Sequence, residues 1–145
     1  MTAPVPPPPL PEGAKPRPAP VIDAEWAPHW AASLEGRLVV QRCPACGHTQ
    51  FYPRAHCLVC RHAVEWEQVS GQGTIYSFTV IRQNPSRSFR HLLPLVVALV
   101  DLDEGPRLMT NIVGSAPEEV RIGAPVQVRF QLVSDAAALP LFELA

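Results

Sequence analysis

The chain has 145 residues, of which 47% are hydrophobic and 17% charged, and its formal net charge is -1. This length and balance predict one compact domain plus a small module and exclude a two-domain enzyme. The near-neutral charge argues against nucleic acid as a partner held through many phosphate contacts. No stretch is apolar enough to span a bilayer and no secretory signal pattern is present, so a cytoplasmic location without a membrane partner is expected.

The first twenty residues contain nine of the eighteen prolines of the chain, including the run Pro6 to Pro9. Proline lacks an amide N–H and does not fit the interior of a helix or a central strand. Residues 1–22 are therefore predicted to form an extended or disordered tail.

Residues 23–36 have the pattern of one short amphipathic helix, because Trp26, Trp30 and Leu34 recur at four-residue spacing. Pro28 fits only in the first turn of such a helix, and Gly36 is a suitable C-terminal stop. A helix with two tryptophans needs a surface to pack on. Its own domain and a partner subunit are the two alternatives for that surface.

All cysteines of the chain lie within residues 37–64, in two CxxC pairs separated by ten residues, and each pair follows a strand-like segment. Two such pairs present four thiolates to one ion, as in a zinc ribbon, and Gly47 can supply the positive φ that closes the first turn. Four thiolates fill a tetrahedral shell, so the predicted Zn²⁺ is structural and not catalytic. An iron centre and a redox dithiol are the alternatives. The predicted ligands are Cys43, Cys46, Cys57 and Cys60, with His48, His56 and His62 interpreted as solvated neighbours.

From residue 65 onward, β-branched and aromatic residues form strand-length segments separated by turn signals. Four long segments, with residues 65–70 as a lead-in, give about five strands, and an antiparallel set of this size predicts a small closed barrel. Residues 103–106 are predicted to form a hairpin turn, and residues 116–120 one helical turn. The long segments are residues 73–81, 94–102, 107–113 and 125–133.

The second long segment is apolar on both faces. Leu95, Val97 and Leu99 lie on one face, and the alternating residues from 96 to 102 lie on the other. The outside of such a barrel strand must be covered. The zinc ribbon, the tryptophan helix and another subunit are the alternatives for this cover.

No complete catalytic set is found, since GxSxG, HExxH, GxxxxGK[ST] and GxGxxG do not occur in the sequence. Whether the chain is an enzyme by itself is left open, with a role as a subunit favoured. The loop around residues 82–91 combines positive charge with an aromatic ring, which suits the phosphates and adenine of CoA. An exposed polar loop is the alternative. The candidate CoA-binding residues are Arg82, Arg87, Phe89, Arg90 and His91.

Several motifs follow one another along the chain: a helix, GRL, CPACG, CLVC, GQGTIYSFTV, PLVVALVDLDEG and IGAPVQVRF. This order resembles the DUF35 family over residues 23–144. The resemblance implies a mainly β fold: a short N-terminal helix, a rubredoxin-like zinc ribbon and a five-stranded OB-fold barrel. It assigns the four cysteines as zinc ligands. The other residues that match the family pattern are Gly71 and Gly73 before the first long strand, the hairpin at 101–105, and Gly123 before the last long strand. The expected division is 1–22 tail, 23–36 helix, 37–64 zinc ribbon and 65–145 OB-fold.

Members of the DUF35 family are accessory subunits of thiolase-superfamily enzymes, so the resemblance implies work in acyl-CoA metabolism. The implied function is a non-catalytic subunit that binds and stabilises a thiolase-like (lipid-transfer-protein-like) aldolase in steroid side-chain degradation. The expected assembly is a heterotetramer around the aldolase dimer, with acyl-CoA near the interface. A thiolase/hydroxymethylglutaryl-CoA synthase complex and a MaoC-like hydratase complex are the alternatives within the family. The candidate interface residues are Trp26, Trp30, Leu34, Leu95, Val97 and Leu99.

Two hypotheses come from other classes of protein. Zinc ribbons and OB-folds also bind single-stranded nucleic acid, and Tyr76 and Phe78 share a strand face that could stack bases. The same two rings are more easily interpreted as barrel core. The second hypothesis is a CoA-binding module that acts on its own through residues 87–91.

Overall fold

The computed structural model describes residues 2–145, so Met1 of the predicted tail lies outside the described residues. One helix, α1, is followed by eight strands, β1 to β8, and short 3-10 turns lie at Arg90–Leu92 and Pro117–Glu119. The bounds are α1 Ala27–Leu34, β1 Val39–Arg42, β2 Thr49–Gln50, β3 Glu65–Gln68, β4 Gln72–Ile81, β5 Leu95–Leu102, β6 Arg107–Ile112, β7 Pro125–Ser134 and β8 Ala137–Leu144.

The zinc-ribbon region is a three-stranded antiparallel sheet in the order β2-β1-β3. Its third strand begins at Glu65 and pairs with β1 along its whole length. The prediction that residues 65–70 supply a barrel strand was therefore wrong. The alternation of Glu65, Trp66 and Glu67 predicts a strand correctly but does not tell which sheet accepts it.

The barrel is closed in the order β4-β5-β6-β8-β7. Its fifth strand is β8, which the sequence analysis did not predict, because Ala137, Ala138 and Pro140 are poor strand formers. β8 pairs with β7 over its full length and meets β6 in parallel at one pair, Ile112 and Phe142. The barrel therefore contains one parallel pair of strands, whereas the sequence predicted an all-antiparallel barrel.

One hydrophobic core serves both the barrel and the ribbon. Fully buried barrel residues include Ile75, Phe130 and Phe142, and the same cluster contains Leu38 and Val40 from around β1. Burying side chains of this size stabilises the fold by about 1.5–3 kcal/mol each. The ribbon therefore packs against the barrel and is not a separately packed unit.

A β-bulge in β4 changes the direction of Tyr76. The register with β5 shifts between Ile75 and Ser77, so Tyr76 leaves the core and is 50% exposed, whereas Phe78 stays packed against the core. The interpretation of both rings as core was wrong for Tyr76. An extra residue in one strand is not visible in an apolar alternation pattern, which is why the sequence did not reveal it.

Helix α1 packs on its own chain. It buries Trp30, Ala32 and Ser33, and the Ser33 hydroxyl accepts a hydrogen bond of 3.1 Å from the Ala138 N–H of β8. Pro28 lies in the first turn, where its missing N–H costs nothing. No helix among residues 2–145 is long and apolar enough to cross a membrane.

His29 is buried where α1 meets the zinc ribbon. Its ring contacts Trp26, Trp30 and Phe51 at centroid distances of 4.7 to 5.4 Å. Burial lowers the pKa of His29 to about 4, against a smaller opposing effect of a hydrogen bond with the backbone of Val39. The imidazole is therefore neutral at physiological pH.

The burial of His29 predicts a loss of stability in mild acid. Above pH 6.5 the imidazole is neutral in both states, but between pH 6.5 and 4 only the unfolded chain takes up the proton. A shift from 6.5 to about 4 corresponds to roughly 3 kcal/mol lost over this range. We expect His29→Gln to remove this part of the pH dependence in urea denaturation, and NMR titration to give a pKa well below 6. Parallel pH profiles for the two proteins would contradict the assignment.

The Pro-rich N-terminal segment lies against the barrel in an extended conformation. The Val5 N–H donates to Phe130 O at 3.0 Å, and the Leu132 N–H donates to Val5 O at 2.8 Å. A third backbone bond joins Lys15 N–H to Arg87 O at 3.1 Å. We call residues 4–17 the N-terminal strap, because they follow the free edge of β7 and then cross to the loop after β4.

Candidate metal centre and outer barrel face

The four cysteine sulfurs converge on one point. All Sγ atoms lie within 4.8 Å of one another, with Cys43 to Cys60 at 3.4 Å and Cys46 to Cys57 at 3.6 Å. Zinc–sulfur bonds of about 2.3 Å in a tetrahedron separate the sulfurs by about 3.8 Å. The site therefore fits a structural Zn²⁺ held by four thiolates, as the sequence predicted.

The two CxxC turns have the same backbone hydrogen bonds. The Cys43 N–H donates to His48 O and the Cys57 N–H to His62 O, each at 2.8 Å. Each turn is closed by a residue with positive φ, Gly47 at 78° in the first and Arg61 at 69° in the second. Gly47 was predicted in this role. Arg61 was not, although it follows Cys60 just as Gly47 follows Cys46.

Backbone amides prepare two of the sulfurs for a metal. The Cys46 amide is the main cause of a lowered pKa at Cys43. The amides of Cys60 and Val59 lower the pKa of Cys57 to about 6, and the Val59 N–H lies 3.4 Å from the Cys57 sulfur. These bonds favour the thiolate, which is the form that binds zinc.

Because Gly47 and Arg61 both have positive φ, substitutions at these two positions should change the free energy of unfolding in opposite directions. Arg61→Gly relieves a left-handed conformation and is expected to raise the free energy of unfolding by about 1 kcal/mol. Gly47→Ala is expected to lower it by about as much. No atom lies within 4 Å of a Cβ built on Gly47, so backbone conformation alone is tested. Denaturation of the zinc-loaded variants measures both, and a loss of stability in Arg61→Gly would contradict the interpretation.

The nearby histidines do not join the cluster. Among residues 2–145, the four cysteines are the only group of three or more metal-binding side chains that come together. His48 and His62 act through their backbone carbonyls, and His56 forms an isolated bridge with Ala63.

The outer face of β4, β5 and β6 is apolar and open. We call it the outer barrel face; Met109 is 62% exposed on it, and Leu95, Val97 and Leu99 are half-buried there. A groove of about 530 Å³ runs along this face between Leu95, Val97, Met109, Tyr52 and Arg17. Neither the ribbon nor α1 closes this groove, so the cover expected for β5 is only partial.

The zinc ribbon forms one wall of the groove through Tyr52. Its hydroxyl accepts a hydrogen bond of 2.8 Å from the Met109 N–H of β6, and its ring lies 6.2 Å from that of Trp26. A ribbon residue thus satisfies a backbone group of the barrel at the wall of the groove.

The candidate interface residues separate into two groups. Trp30 is only 9% exposed, because it packs on its own chain. Trp26 stacks on Trp30 with 6.0 Å between the ring centroids, and Leu34 of the same helix is half-buried. The three β5 residues, by contrast, lie on the outer barrel face. The partner-facing role of all six stays a prediction.

The candidate CoA residues lie around one loop but are partly occupied. Arg82 pairs with Glu118 at 3.7 Å, and the Arg87 and Arg90 guanidiniums donate to Gly13 O and Pro85 O at 2.8 and 2.7 Å. His91 lines a hollow of about 330 Å³ with Arg87, Arg90 and residues 11–14 of the strap, and Phe89 lies under Arg17. Binding of CoA here stays a prediction.

Seven residues that line the groove lie outside the predicted site: Arg17, Tyr52, Ile81, Asn84, Met109, Thr110 and Asn111. Met109 follows Leu108 and precedes Thr110, so strict alternation in β6 would have marked it as an apolar residue on the outside. Tyr52 and Arg17 carry no local signal, since their positions depend on how the ribbon and the strap pack on the barrel.

Comparisons with known proteins agree with this architecture. Residues 30–66 match the family model described as "ChsH2, rubredoxin-like zinc ribbon domain", and residues 66–131 match "ChsH2, C-terminal OB-fold domain". Together with the four-cysteine centre and the closed barrel, these matches define a zinc-ribbon and OB-fold protein.

Relatives narrow this class to a family. A "DUF35 domain-containing scaffold protein" of Methanocaldococcus jannaschii is 35% identical over 100 residues, which cover 68% of this chain and 70% of that protein. The solved "Ltp2-ChsH2(DUF35) aldolase" contains a chain that is 36% identical with a TM-score of 0.79, and the match covers 87% of this chain and 98% of that one. The chain belongs to the DUF35 family.

Two further relatives are larger proteins. A "probable enoyl-CoA hydratase alpha subunit" of Thermomonospora curvata is 39% identical over 131 residues, covering 89% of this chain and 40% of that protein. A "3-oxo-4,17-pregnadiene-20-carboxyl-CoA hydratase alpha subunit" of Mycobacterium tuberculosis is 41% identical over 61 residues, covering 42% of this chain and 19% of that protein. The chain therefore spans well under half the length of these two relatives.

Proposed function

We propose that this chain is a non-catalytic accessory subunit that binds and stabilises a thiolase-like (lipid-transfer-protein-like) aldolase acting on acyl-CoA thioesters. The observation that carries the proposal is the match to the ChsH2 chain of the Ltp2-ChsH2(DUF35) aldolase, which extends over 98% of that chain. The relative of Mycobacterium tuberculosis has a pregnadiene carboxyl-CoA in its name. We therefore propose steroid side-chain degradation as the setting.

The outer barrel face supports a role in assembly. Exposed apolar side chains are normally scattered, whereas Tyr52 and Met109 lie together with Leu95 and Val97 along one groove. Tyrosine and methionine are enriched in interface cores. We propose that the aldolase covers this face.

The chemistry of the metal centre supports the non-catalytic part of the proposal. Four cysteines converge on the site, and a zinc shell filled by four thiolates has no position for a substrate or an activated water. The centre holds the ribbon in place, and the reacting residues belong to the partner.

We further propose a heterotetramer around the aldolase dimer, with the acyl-CoA passing near residues 82–91.

The relative of Thermomonospora curvata favours a second candidate. It is named as a hydratase alpha subunit and matches 89% of this chain. A MaoC-like hydratase is therefore the alternative partner.

Affinity purification of the tagged full chain from its native host tests the proposal. We expect a thiolase-like protein to co-purify, and we expect that protein to be insoluble or inactive toward acyl-CoA aldol cleavage when expressed without this chain. Co-expression with the chain should restore both properties. A thiolase-like neighbour that is soluble and fully active alone would contradict the proposal, and a hydratase as the main captured protein would favour the second candidate.

A further inference from the structure

Arg17 of the N-terminal strap is held rigidly at one end of the groove. Its guanidinium donates to Asn111 Oδ1 at 2.5 Å and lies 5.6 Å from the centroid of the Phe89 ring. Asn111 is only 7% exposed, and its own side-chain amide donates to Val96 O at 3.0 Å. The strap, the loop and β6 together fix the position of this cation.

The charge of Arg17 has no anionic partner within residues 2–145. The five ion pairs among these residues do not include it, and Asn111 Oδ1 is the only acceptor that its guanidinium contacts. Partial burial removes part of the hydration of this charge and lowers the pKa of Arg17. A partly buried guanidinium with most of its five donors unused is expected to attract an anion.

The surroundings of Arg17 define what kind of anion fits. Leu95, Val97 and Met109 line the same groove, so the anion would sit beside apolar groups. Arg87 and Arg90 line the neighbouring hollow and not this groove, so Arg17 is the only charged side chain among the described residues that line the groove. One free cation next to an apolar strip matches a single carboxylate better than the several phosphates of CoA.

We propose that Arg17 anchors a carboxylate side chain of the partner protein, whose apolar neighbours cover Val97 and Met109. This inference rests on the proposed function and specifies the chemistry of its interface. The carboxylate is received by the two-pronged guanidinium, which gives direction as well as affinity. The N-terminal strap is then part of the docking surface.

Binding of the aldolase to Arg17 variants of the full chain tests the inference. The probe is the aldolase that co-purifies with the wild-type chain; it is co-expressed with each tagged variant, and the Kd of the purified complex is measured from its dissociation on dilution at low and high salt. We expect Arg17→Met to raise Kd at least about tenfold and to weaken its salt dependence, with Arg17→Lys intermediate. Arg121→Met is the matched control, because Arg121 is exposed and donates only to the backbone of Glu118 and Val120, and it should bind as wild type.

The outcomes separate the two proposals. If the wild-type chain captures no aldolase, the proposed function fails before any variant is made. If the wild-type chain binds and Arg17→Met binds equally well, only the role of Arg17 fails.

Hydrogen exchange at the Leu132 amide, which donates to Val5 O, reports whether the strap stays bound. If Arg17→Met releases the strap, Arg17→Lys decides: weaker binding supports the inference and wild-type binding refutes it. CoA that binds the isolated chain and loses binding in Arg17→Met would identify phosphate as the ligand and overturn the carboxylate.

Discussion

Replacement of Cys43 by serine is expected to abolish zinc binding and unfold the ribbon. Cys43 is fully buried, and its thiolate has no substitute among residues 2–145, since the four cysteines are the only cluster of potential ligands there. Structural zinc contributes about 10–16 kcal/mol of apparent free energy in small zinc domains, which is as large as the whole stability of a typical protein. Zinc content by atomic spectroscopy should fall from one per chain to none, and the near-ultraviolet circular dichroism of the tryptophans should be lost.

The nearby histidines provide matched controls for this experiment. Only the backbone carbonyls of His48 and His62 take part in the CxxC turns, so His48→Ala and His62→Ala should keep one zinc per chain. Loss of zinc in either control would show that the four-cysteine description is incomplete. A Cys43→Ser chain that folds and binds zinc normally would contradict the structural role.

Substitution of Met109 by arginine is expected to prevent association with the aldolase while leaving the chain folded. Met109 is 62% exposed, so the change should alter stability by no more than about 0.5 kcal/mol. At the centre of an interface, however, it would bury an unpaired charge against apolar side chains. We expect the Kd of the co-expressed complex, measured from its dissociation on dilution, to rise at least about thirtyfold, the effect of a hot-spot residue.

Ile122 is the matched control for Met109. It is 69% exposed and lies outside the outer barrel face, between Pro117–Glu119 and β7. Ile122→Arg should therefore bind the aldolase as the wild type does. Equal binding by both variants would exclude the outer barrel face as the docking surface, whereas a loss of binding in Ile122→Arg alone would move the interface to the loop between Pro117–Glu119 and β7.

The parts of the molecule that follow from local chemistry could be predicted from the sequence. Cysteine spacing located the metal centre because two CxxC turns supply the four thiolates that fill a tetrahedral zinc shell. The alternation in residues 94–102 identified the strand and its two faces, and Pro28 located the start of α1. The hairpin after β5 was predicted because Asp103 and Gly105 are typical turn residues.

The parts that depend on distant packing could not be predicted in the same way. β8 contains two alanines and a proline, and only its pairing with β7 makes it a strand. Tyr76 points outward because of a bulge, and residues 65–68 join the ribbon because β1 offers them an edge. The N-terminal strap is extended by composition, but its path along β7 is set by backbone groups of Phe130 and Leu132 that no local pattern reveals.

The hydrogen bond between Tyr52 and Met109 connects the segment between the two CxxC turns to the groove of the outer barrel face. Tyr52 belongs to the segment between the two CxxC turns, so a chain without zinc has no fixed position for this side chain. The Met109 N–H would then lose its acceptor, and the groove would lose one wall at the same moment. Under the proposed function, a newly made chain would thus be able to recruit a partner enzyme only after it binds zinc, and zinc loading would keep immature subunits out of the complex.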